Sequence, residues 1–134
     1  MAAMTSEDVT QKIPGRKKGI SRIVSAFGYS MAGLRFAATR ETAFRQELLL
    51  FVLLLPLLAL LPLSLPFKAI LLAANALVLI TELINSALEA VVNLASPGYH
   101  ELAGRAKDLA SAAVLLSLLN ALSLWIMALI SLFP

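Results

Sequence analysis

The sequence predicts an all-α membrane protein in which an N-terminal amphipathic surface helix precedes three transmembrane helices. Of its 134 residues, 60% are hydrophobic and 14% are charged, whereas soluble domains are roughly 45–50% apolar. The mean hydropathy is +0.87, and each of three long apolar segments reaches the roughly 20 residues that a helix needs to cross a bilayer. A chain of this length has room for one such domain, so we expect any large substrate site to lie in or beside the membrane.

The predicted elements follow the order of the chain. Residues 1–19 are polar, contain Pro14 and Gly15, and are predicted to form a disordered tail. Residues 20–47 mix apolar and basic side chains at helical spacing, which predicts a helix on the membrane surface. The remaining elements of the predicted membrane domain, which covers residues 20–134, are spans at residues 48–67, 69–95 and 107–133.

Basic residues are distributed unequally along the chain. Eight of the eleven Lys and Arg residues lie at or before Arg45, two (Arg105 and Lys107) lie between spans two and three or at the boundary of span three, and only Lys68 lies between spans one and two. By the positive-inside rule, the N-terminus and the loop between spans two and three face the cytoplasm. The net charge of +3 is better explained by anionic lipid than by nucleic acid, because the basic N-terminal stretch precedes a hydrophobic body.

The composition excludes several classes of site. The chain has no cysteine, which rules out disulfides and thiolate chemistry, and the single His100 cannot build a multi-histidine metal site. Carboxylates are the remaining metal ligands. Neither the G-x-x-x-x-G-K-[ST] phosphate loop nor the protein-kinase motifs occur in the sequence, so any ATP site must follow another design.

The second predicted span carries a polar stripe. At about 100° per residue, five polar side chains fall on one narrow face of the helix; they are Asn75, Glu82, Asn85, Glu89 and Asn93. Polar side chains in membranes also hold helices together by hydrogen bonds, and that alternative applies best to the asparagines. Carboxylates at membrane depth are costly and are usually functional, so Glu82 and Glu89 are candidate site residues.

The start of the third predicted span brings opposite charges together. Lys107 and Asp108 are adjacent at the membrane boundary, and Ser111 follows within one turn. Lys107 can neutralise phosphate charge, or it can extend its ammonium group to the lipid headgroups. His100, on the polar loop before this span, is more often a solvent-exposed residue than a catalyst.

Three segments resemble the prokaryotic diacylglycerol kinase family. They are E-T-A-F-R-Q-E from Glu41, E-L-I-N-S-A-L-E from Glu82, and G-R-A-K-D from Gly104, and the resemblance runs from about Arg22 to the C-terminus. It implies a homotrimer in the bacterial inner membrane, with active sites at subunit boundaries near the cytoplasmic face. The implied reaction is Mg²⁺-dependent transfer of the γ-phosphoryl group of ATP to the hydroxyl of diacylglycerol.

The resemblance also implies roles for individual residues. Glu82 corresponds to the catalytic base, Glu41 and Glu89 to the metal-binding carboxylates, and Asn85 supports the site. Nucleotide contacts are implied for Arg22, Tyr29, Glu41, Glu89, Gly98, Tyr99, His100, Lys107 and Asp108. Lipid-substrate contacts are implied for Arg22, Glu82 and Ser111. The chain departs from the family at Asn93, where relatives have an aspartate, so a role for that acid does not transfer.

Two rival functions fit parts of the same sequence. Undecaprenol kinases use a similar core, but the G-R-A-K-D form and the long C-terminal span favour diacylglycerol. A small non-enzymatic membrane subunit, or an ion-conducting oligomer, would use the polar stripe to line a pore. That second rival leaves Glu41, Lys107 and Asp108 without a shared purpose.

Overall fold

The computed structural model describes residues 19–133, and this part of the chain is helical apart from short connections. Its helices are α1 (Ile20–Arg40), α2 (Thr42–Leu60), α3 (Leu65–Ala95) and α4 (Glu101–Ile130). Three of them, α2, α3 and α4, are long and apolar enough to cross a membrane. The predicted all-α class, with three helices able to cross a membrane, is therefore confirmed. The homotrimer and the surface position of the first helix stay predictions. The predicted tail lies outside the described residues, apart from Gly19.

The described residues divide into two compact units between Gly33 and Leu34. In the first unit, α1 is a regular helix whose Ser30 hydroxyl donates a hydrogen bond to a carbonyl oxygen one turn earlier. Its apolar side chains, such as Ile23 and Phe27, are exposed. The second unit contains the last turns of α1 together with the three long helices.

A break at Glu41 separates α1 from α2, so the single helix predicted over residues 20–47 was wrong. Glu41 has extended backbone angles, φ −95° and ψ 114°, and α2 begins at the next residue. Glutamate is a good helix former, so the residue type gives no signal of the break. Although Glu41 occupies the N-cap position of α2, its side chain makes no capping hydrogen bond. Its carboxylate is therefore not used to hold the helix end.

Prolines determine where α2 ends and α3 begins. The predicted limits of the first span, residues 48 and 67, were wrong because α2 covers Thr42–Leu60, and the predicted start of the second span at residue 69 was wrong because α3 begins at Leu65. Leu61, before Pro62, has an extended backbone, as expected because a proline disfavours the helical conformation of the residue before it. Pro66 lies in the first turn of α3, where the missing N–H has no intrahelical partner to lose. The chain therefore turns at residues 61–64, between Leu60 and Leu65. Helix α3 ends at Ala95, the residue at which the second span was predicted to end.

The last helix begins six residues before the predicted start at residue 107 and ends at Ile130, short of residue 133. The Nδ1 atom of His100 accepts a hydrogen bond of 3.2 Å from the backbone N–H of Leu102 and so caps the helix. Glu101 places a negative charge in the first turn, where the helix dipole favours it, and it pairs with Arg105 one turn later. Charged residues that the sequence analysis assigned to a loop therefore form the first turns of α4.

Helix α3 packs against both α4 and α2. Two hydrogen bonds fix its antiparallel register against α4. The indole N–H of Trp125 donates to Asn75 Oδ1 at 3.1 Å, and the hydroxyl oxygens of Thr81 and Ser117 lie 2.9 Å apart. Because residue numbers rise along α3 while they fall along α4, these two contacts determine which parts of the helices lie side by side.

Small residues allow the three helices to approach closely. Ala74, Ala121 and Ala128 are buried, and Ala128 packs with Leu58 of α2 and Leu71 of α3. Small side chains at helix contacts are typical of membrane proteins, where close packing replaces the hydrophobic effect as the main attraction between helices.

The second unit has two ends that differ in chemistry. We call the end where α2 begins, α3 ends and α4 begins the Glu41 end, and the opposite end the Lys68 end. Lys68, predicted to lie between two spans, is instead part of α3, and its ammonium group donates a 2.8 Å hydrogen bond to the carbonyl oxygen of Ala59. Carbonyls in the last turn of a helix lack intrahelical partners. Lys68 therefore satisfies the end of α2 and joins it to α3.

We expect the Thr81–Ser117 contact to contribute measurable coupling energy between α3 and α4. Thr81→Val and Ser117→Ala each remove one hydroxyl, and hydrogen bonds between membrane helices average about 0.6 kcal/mol. Unfolding the two single variants and the double variant in detergent with a denaturant should give a coupling energy of about that size. The Ser123 hydroxyl bonds only within α4, so Thr81→Val with Ser123→Ala is the matched control and should be additive. Additivity in both pairs would contradict the assignment.

Candidate active site

Glu82 is the buried acid in the middle of α3. It is 7% exposed, and three other members of the polar stripe, Asn75, Asn85 and Glu89, are half buried, whereas Asn93 is exposed. The stripe therefore faces the packed side of α3 over most of its length. An asparagine stripe alone would fit a seam between helices, but a buried carboxylate with no basic partner in the described part of the chain does not strengthen such a seam.

Negative charge converges on Glu82 from two other places. The carboxylates of Glu47, Glu89 and Glu41 all lie close enough to interact electrostatically with that of Glu82. Glu41 and Glu47 come from the start of α2, and Glu89 comes from α3 two turns beyond Glu82. Like charges at close range repel. Such a group is stabilised when a cation or a positively charged side chain binds among its members.

Glu47 is the site residue that the sequence analysis missed. It was assigned to the surface helix, immediately before the uncharged run that begins at Leu48. Because α2 begins at Thr42, Glu47 lies inside the membrane-crossing helix and is half buried. An acid within such a helix is a functional candidate in its own right. The sequence signal was present, but it depended on locating the break at Glu41.

Asn85 lies between the two acids of α3 in the sequence. Its amide nitrogen donates a 3.4 Å hydrogen bond to Glu89 Oε1, and its carbonyl oxygen is buried with no hydrogen-bond partner. Buried polar atoms in folded proteins are rarely left unpaired, and an exception calls for an explanation such as an ion or ligand. The Oδ1 atom of Asn85 is therefore an acceptor suited to a cation or to a hydroxyl group.

The register of α3 and α4 brings the charges at the start of α4 to the same level. Starting from the Thr81–Ser117 pair, eight residues further along α3 reach Glu89, and eight residues back along α4 reach Leu109. Lys107 and Asp108 are thus within one turn of that level. Lys107 is half buried and Asp108 is exposed. Lys107 and Asp108 therefore lie at the Glu41 end, at the level of Glu89.

The other predicted contact residues are exposed. Tyr99 is 97% exposed, Gly98 and Ser111 are also exposed, and His100 uses its Nδ1 atom to cap α4. Gly98, Tyr99 and His100 lie in the short connection between α3 and α4 at the Glu41 end, whereas Ser111 lies inside α4. Two further predicted residues, Arg22 and Tyr29, belong to the first unit and are exposed there.

The carboxylates fit a hard metal ion better than any other type. Among the described residues, no three His, Asp or Glu side chains are grouped closely enough to hold a metal by themselves. Mg²⁺ is usually bound by one or two carboxylates together with substrate phosphates and water, and not by a cage of protein ligands. Two acids with the unpaired oxygen of Asn85 are consistent with that mode of binding.

Comparison with known proteins identifies the family. Residues 28–129 match the prokaryotic diacylglycerol kinase family. This chain belongs to that family. It is 44% identical over 107 residues to the diacylglycerol kinase of Escherichia coli strain K12, covering 80% of this chain and 88% of the relative. The diacylglycerol kinase of Pseudomonas aeruginosa strain PAO1 is 46% identical over 100 residues, covering 75% and 81%. That of Helicobacter pylori strain J99 is 35% identical over 114 residues, covering 85% and 89%.

The residues that match the prokaryotic diacylglycerol kinase family contain nearly all of the candidate site. Every predicted site residue lies within residues 28–129 except Arg22, which precedes them. Glu47, identified from the structure, lies within them too. Asn93, where the resemblance implied an aspartate, is exposed, whereas Glu82 on the same helix is buried.

Proposed function

We propose that this protein is an ATP-dependent lipid kinase that phosphorylates diacylglycerol to phosphatidic acid in the bacterial inner membrane. The observation that supports this most strongly is the buried Glu82, which lies among three further carboxylates in a chain of the prokaryotic diacylglycerol kinase family. A carboxylate inside membrane-crossing helices can meet an alcohol that is itself dissolved in the bilayer. The charged residues at the Glu41 end can meet a water-soluble nucleotide.

Glu82 is the proposed catalytic base. The hydroxyl oxygen of the lipid attacks the γ-phosphorus of ATP, the bond from that phosphorus to the bridging oxygen breaks, and ADP leaves. The hydroxyl proton passes to the Glu82 carboxylate. A positioned base of this kind contributes about 10²–10⁴-fold to a rate. Asn85, one turn further along α3 with its free acceptor oxygen, supports the position of the reacting groups.

Glu41 and Glu89 are the proposed metal ligands, with Mg²⁺ as the ion. The ion would neutralise charge on the phosphates of ATP. Glu41 can contribute because its carboxylate does not cap α2, and Glu89 because only the weak 3.4 Å contact from Asn85 engages it. Lys107 supplies a permanent cation at the same level. Together these groups would hold a triphosphate that the four carboxylates alone would repel.

The remaining nucleotide and lipid contacts are proposed for exposed residues. Gly98, Tyr99, His100 and Asp108 lie at the Glu41 end and are accessible to a soluble ligand. Ser111 lies one turn further along α4, towards the lipid. Contacts are also proposed for two residues of α1, Arg22 and Tyr29.

A homotrimer with α1 on the membrane surface completes the proposal. The helix α1 combines exposed apolar side chains with three arginines, Arg22, Arg35 and Arg40, as in helices that lie in the headgroup region. Within residues 19–133, a single chain groups too few ligands to hold a metal by itself, which favours a site shared between subunits. The cytoplasmic placement of the Glu41 end follows from the distribution of Lys and Arg, and it is the side on which ATP is found.

Phosphorylation of the lipid tests the function directly. Purified protein in mixed micelles with γ-labelled ATP should label diacylglycerol and should label undecaprenol far less. Glu82→Gln should lower the turnover number by about 10²–10⁴-fold while nucleotide binding and the helical circular dichroism spectrum stay unchanged. Glu101→Gln, which removes only an exposed ion pair, is the control and should keep its activity. Normal turnover in folded Glu82→Gln protein would refute the role of Glu82, and labelling of undecaprenol alone would refute the substrate.

The two proposed metal ligands should behave as one unit. Glu41→Ala and Glu89→Ala should each raise the Mg²⁺ concentration needed for half-maximal activity, and the double variant should cost little more than either single variant. In a trimer that shares its sites between subunits, mixing the two inactive proteins should restore part of the activity. Additive losses with unchanged Mg²⁺ dependence would show that the two acids do not bind the same ion. Failure of every mixture would argue against shared sites.

The proposed orientation can be measured with accessibility tags. A tag before residue 20 and one within residues 96–100 should react from the cytoplasmic side, and a tag after Phe133 should react from the periplasmic side. A cytoplasmic C-terminal tag would mean that one of α2, α3 and α4 does not cross the membrane.

A further inference from the structure

A groove runs between α2, α3 and α4 on the side of α3 that carries Asn75. Its volume is about 360 Å³, and its lining is apolar except for Glu47, Asn75 and the indole N–H of Trp125. The apolar part includes Leu54 and Val78. Such a surface on membrane-crossing helices favours hydrocarbon over water.

The two ends of the groove have different chemistry. Glu47, whose carboxylate also interacts electrostatically with that of Glu82, lies on the side nearer the Glu41 end. Asn75 and Trp125 lie nearer the Lys68 end, because Asn75 precedes Glu82 by seven residues, or roughly 10 Å of helix. The groove therefore begins beside the proposed reaction centre and extends away from it, towards the interior of the bilayer.

The hydrogen bond between Asn75 and Trp125 fixes a large ring in the groove. The indole N–H donates to Asn75 Oδ1 at 3.1 Å, and both side chains are half buried. An indole has one polar atom, and here that atom is engaged by the amide of the neighbouring helix. The bond holds the ring in one orientation across the α3–α4 contact, with its apolar surface on the lining of the groove.

We propose that the Asn75–Trp125 pair determines acyl-chain specificity, by limiting how far a hydrocarbon chain of the lipid substrate extends along this groove. The inference rests on the proposed function for the identity of the substrate. The occupant is one acyl chain of an acylglycerol, whose hydroxyl end lies near Glu82 and Glu47. The continuity of the apolar lining with Glu47 supports this occupant over a ligand that enters from water.

The volume of the groove agrees with this occupant. An apolar cavity of about 150 Å³ binds benzene, which has six carbon atoms. By that proportion, a groove of about 360 Å³ accommodates on the order of a dozen carbons. That is most of one ordinary acyl chain. The ring of Trp125, away from Glu47 along the groove, therefore lies where it would limit the length of a bound chain.

Trp125 is the only tryptophan of the chain, so its fluorescence reports on the groove directly. Wild-type protein, without ATP, is placed in micelles that contain a small fraction of diacylglycerol with bromine atoms in the middle of one acyl chain. Bromine quenches indole fluorescence on contact. We expect this lipid to quench Trp125 more strongly than a phosphatidylcholine brominated on the same carbons, and unlabelled diacylglycerol should reverse the effect by competition.

A relocated tryptophan is the matched control. Leu116 is on α4, is 67% exposed and does not line the groove. The double variant Trp125→Phe with Leu116→Trp should be quenched equally by the two brominated lipids, since both reach it only as surrounding lipid. Equal quenching of wild-type Trp125 by the two lipids would overturn the inference. So would no quenching by either, which is the result expected if a second copy of the chain covers the groove.

Chain-length preference provides the second measurement. Trp125→Ala should raise the ratio of kcat/KM for long-chain to short-chain diacylglycerol on the order of tenfold, since a few methylene contacts in an apolar pocket discriminate by that amount. Leu116→Ala should leave the ratio unchanged. The ratio is independent of the amount of folded protein, so poor folding does not imitate the effect. An unchanged ratio for Trp125→Ala would overturn the inference. Selective quenching in a protein that phosphorylates no lipid would refute the proposed function and not the groove.

Discussion

The antiparallel contact between α3 and α4 is the interaction on which the candidate site depends. In a bilayer, a carboxylate such as Glu82 is tolerated only where protein surrounds it, and α3 packed against its neighbours provides that surrounding. The same contact fixes the level of Lys107 and Asp108 relative to Glu89. Two side-chain pairs, Asn75 with Trp125 and Thr81 with Ser117, hold the register. A shift by one turn would carry Lys107 about 5 Å along the helix, away from the level of Glu89.

The break at Glu41 is the second requirement. If α1 and α2 formed one continuous helix, Glu41 would be one more surface residue in its middle. The extended backbone at Glu41 instead allows a new helix to begin at Thr42. Glu41 and Glu47 then both lie near the start of α2, where their carboxylates interact electrostatically with Glu82. Grouping four acids is unfavourable because their charges repel one another, and a cation bound among them would offset that repulsion.

Much of this arrangement was predictable from the sequence, and the failures have physical causes. The number of membrane-crossing helices and the stripe through Glu82 and Glu89 follow from hydropathy and helical spacing, which are local properties. The start of α2 was misplaced because charged residues were taken as the limit of the membrane segment, and Glu47 was missed with it. Pro66 was included in the first predicted span, residues 48–67, but it lies in the first turn of α3. A proline inside one helix and a proline at the start of the next are distinguished only by the neighbouring backbone angles. Contacts between helices, such as that of Trp125 with Asn75, leave no periodic trace in either segment.

The hydroxyl groups of Thr81 and Ser117 have a consequence for the order of assembly. Each hydroxyl also contacts carbonyl oxygens of its own helix, Thr81 those of Leu77 and Val78, and Ser117 that of Val114. Either helix can therefore enter the hydrocarbon before the other arrives, because its hydroxyl proton is already donated to a carbonyl oxygen of the same helix. When α3 and α4 meet, the two oxygens find each other without an unsatisfied intermediate. Such a pair forms only when the two helices are correctly aligned, and it adds no desolvation cost to the insertion of either helix.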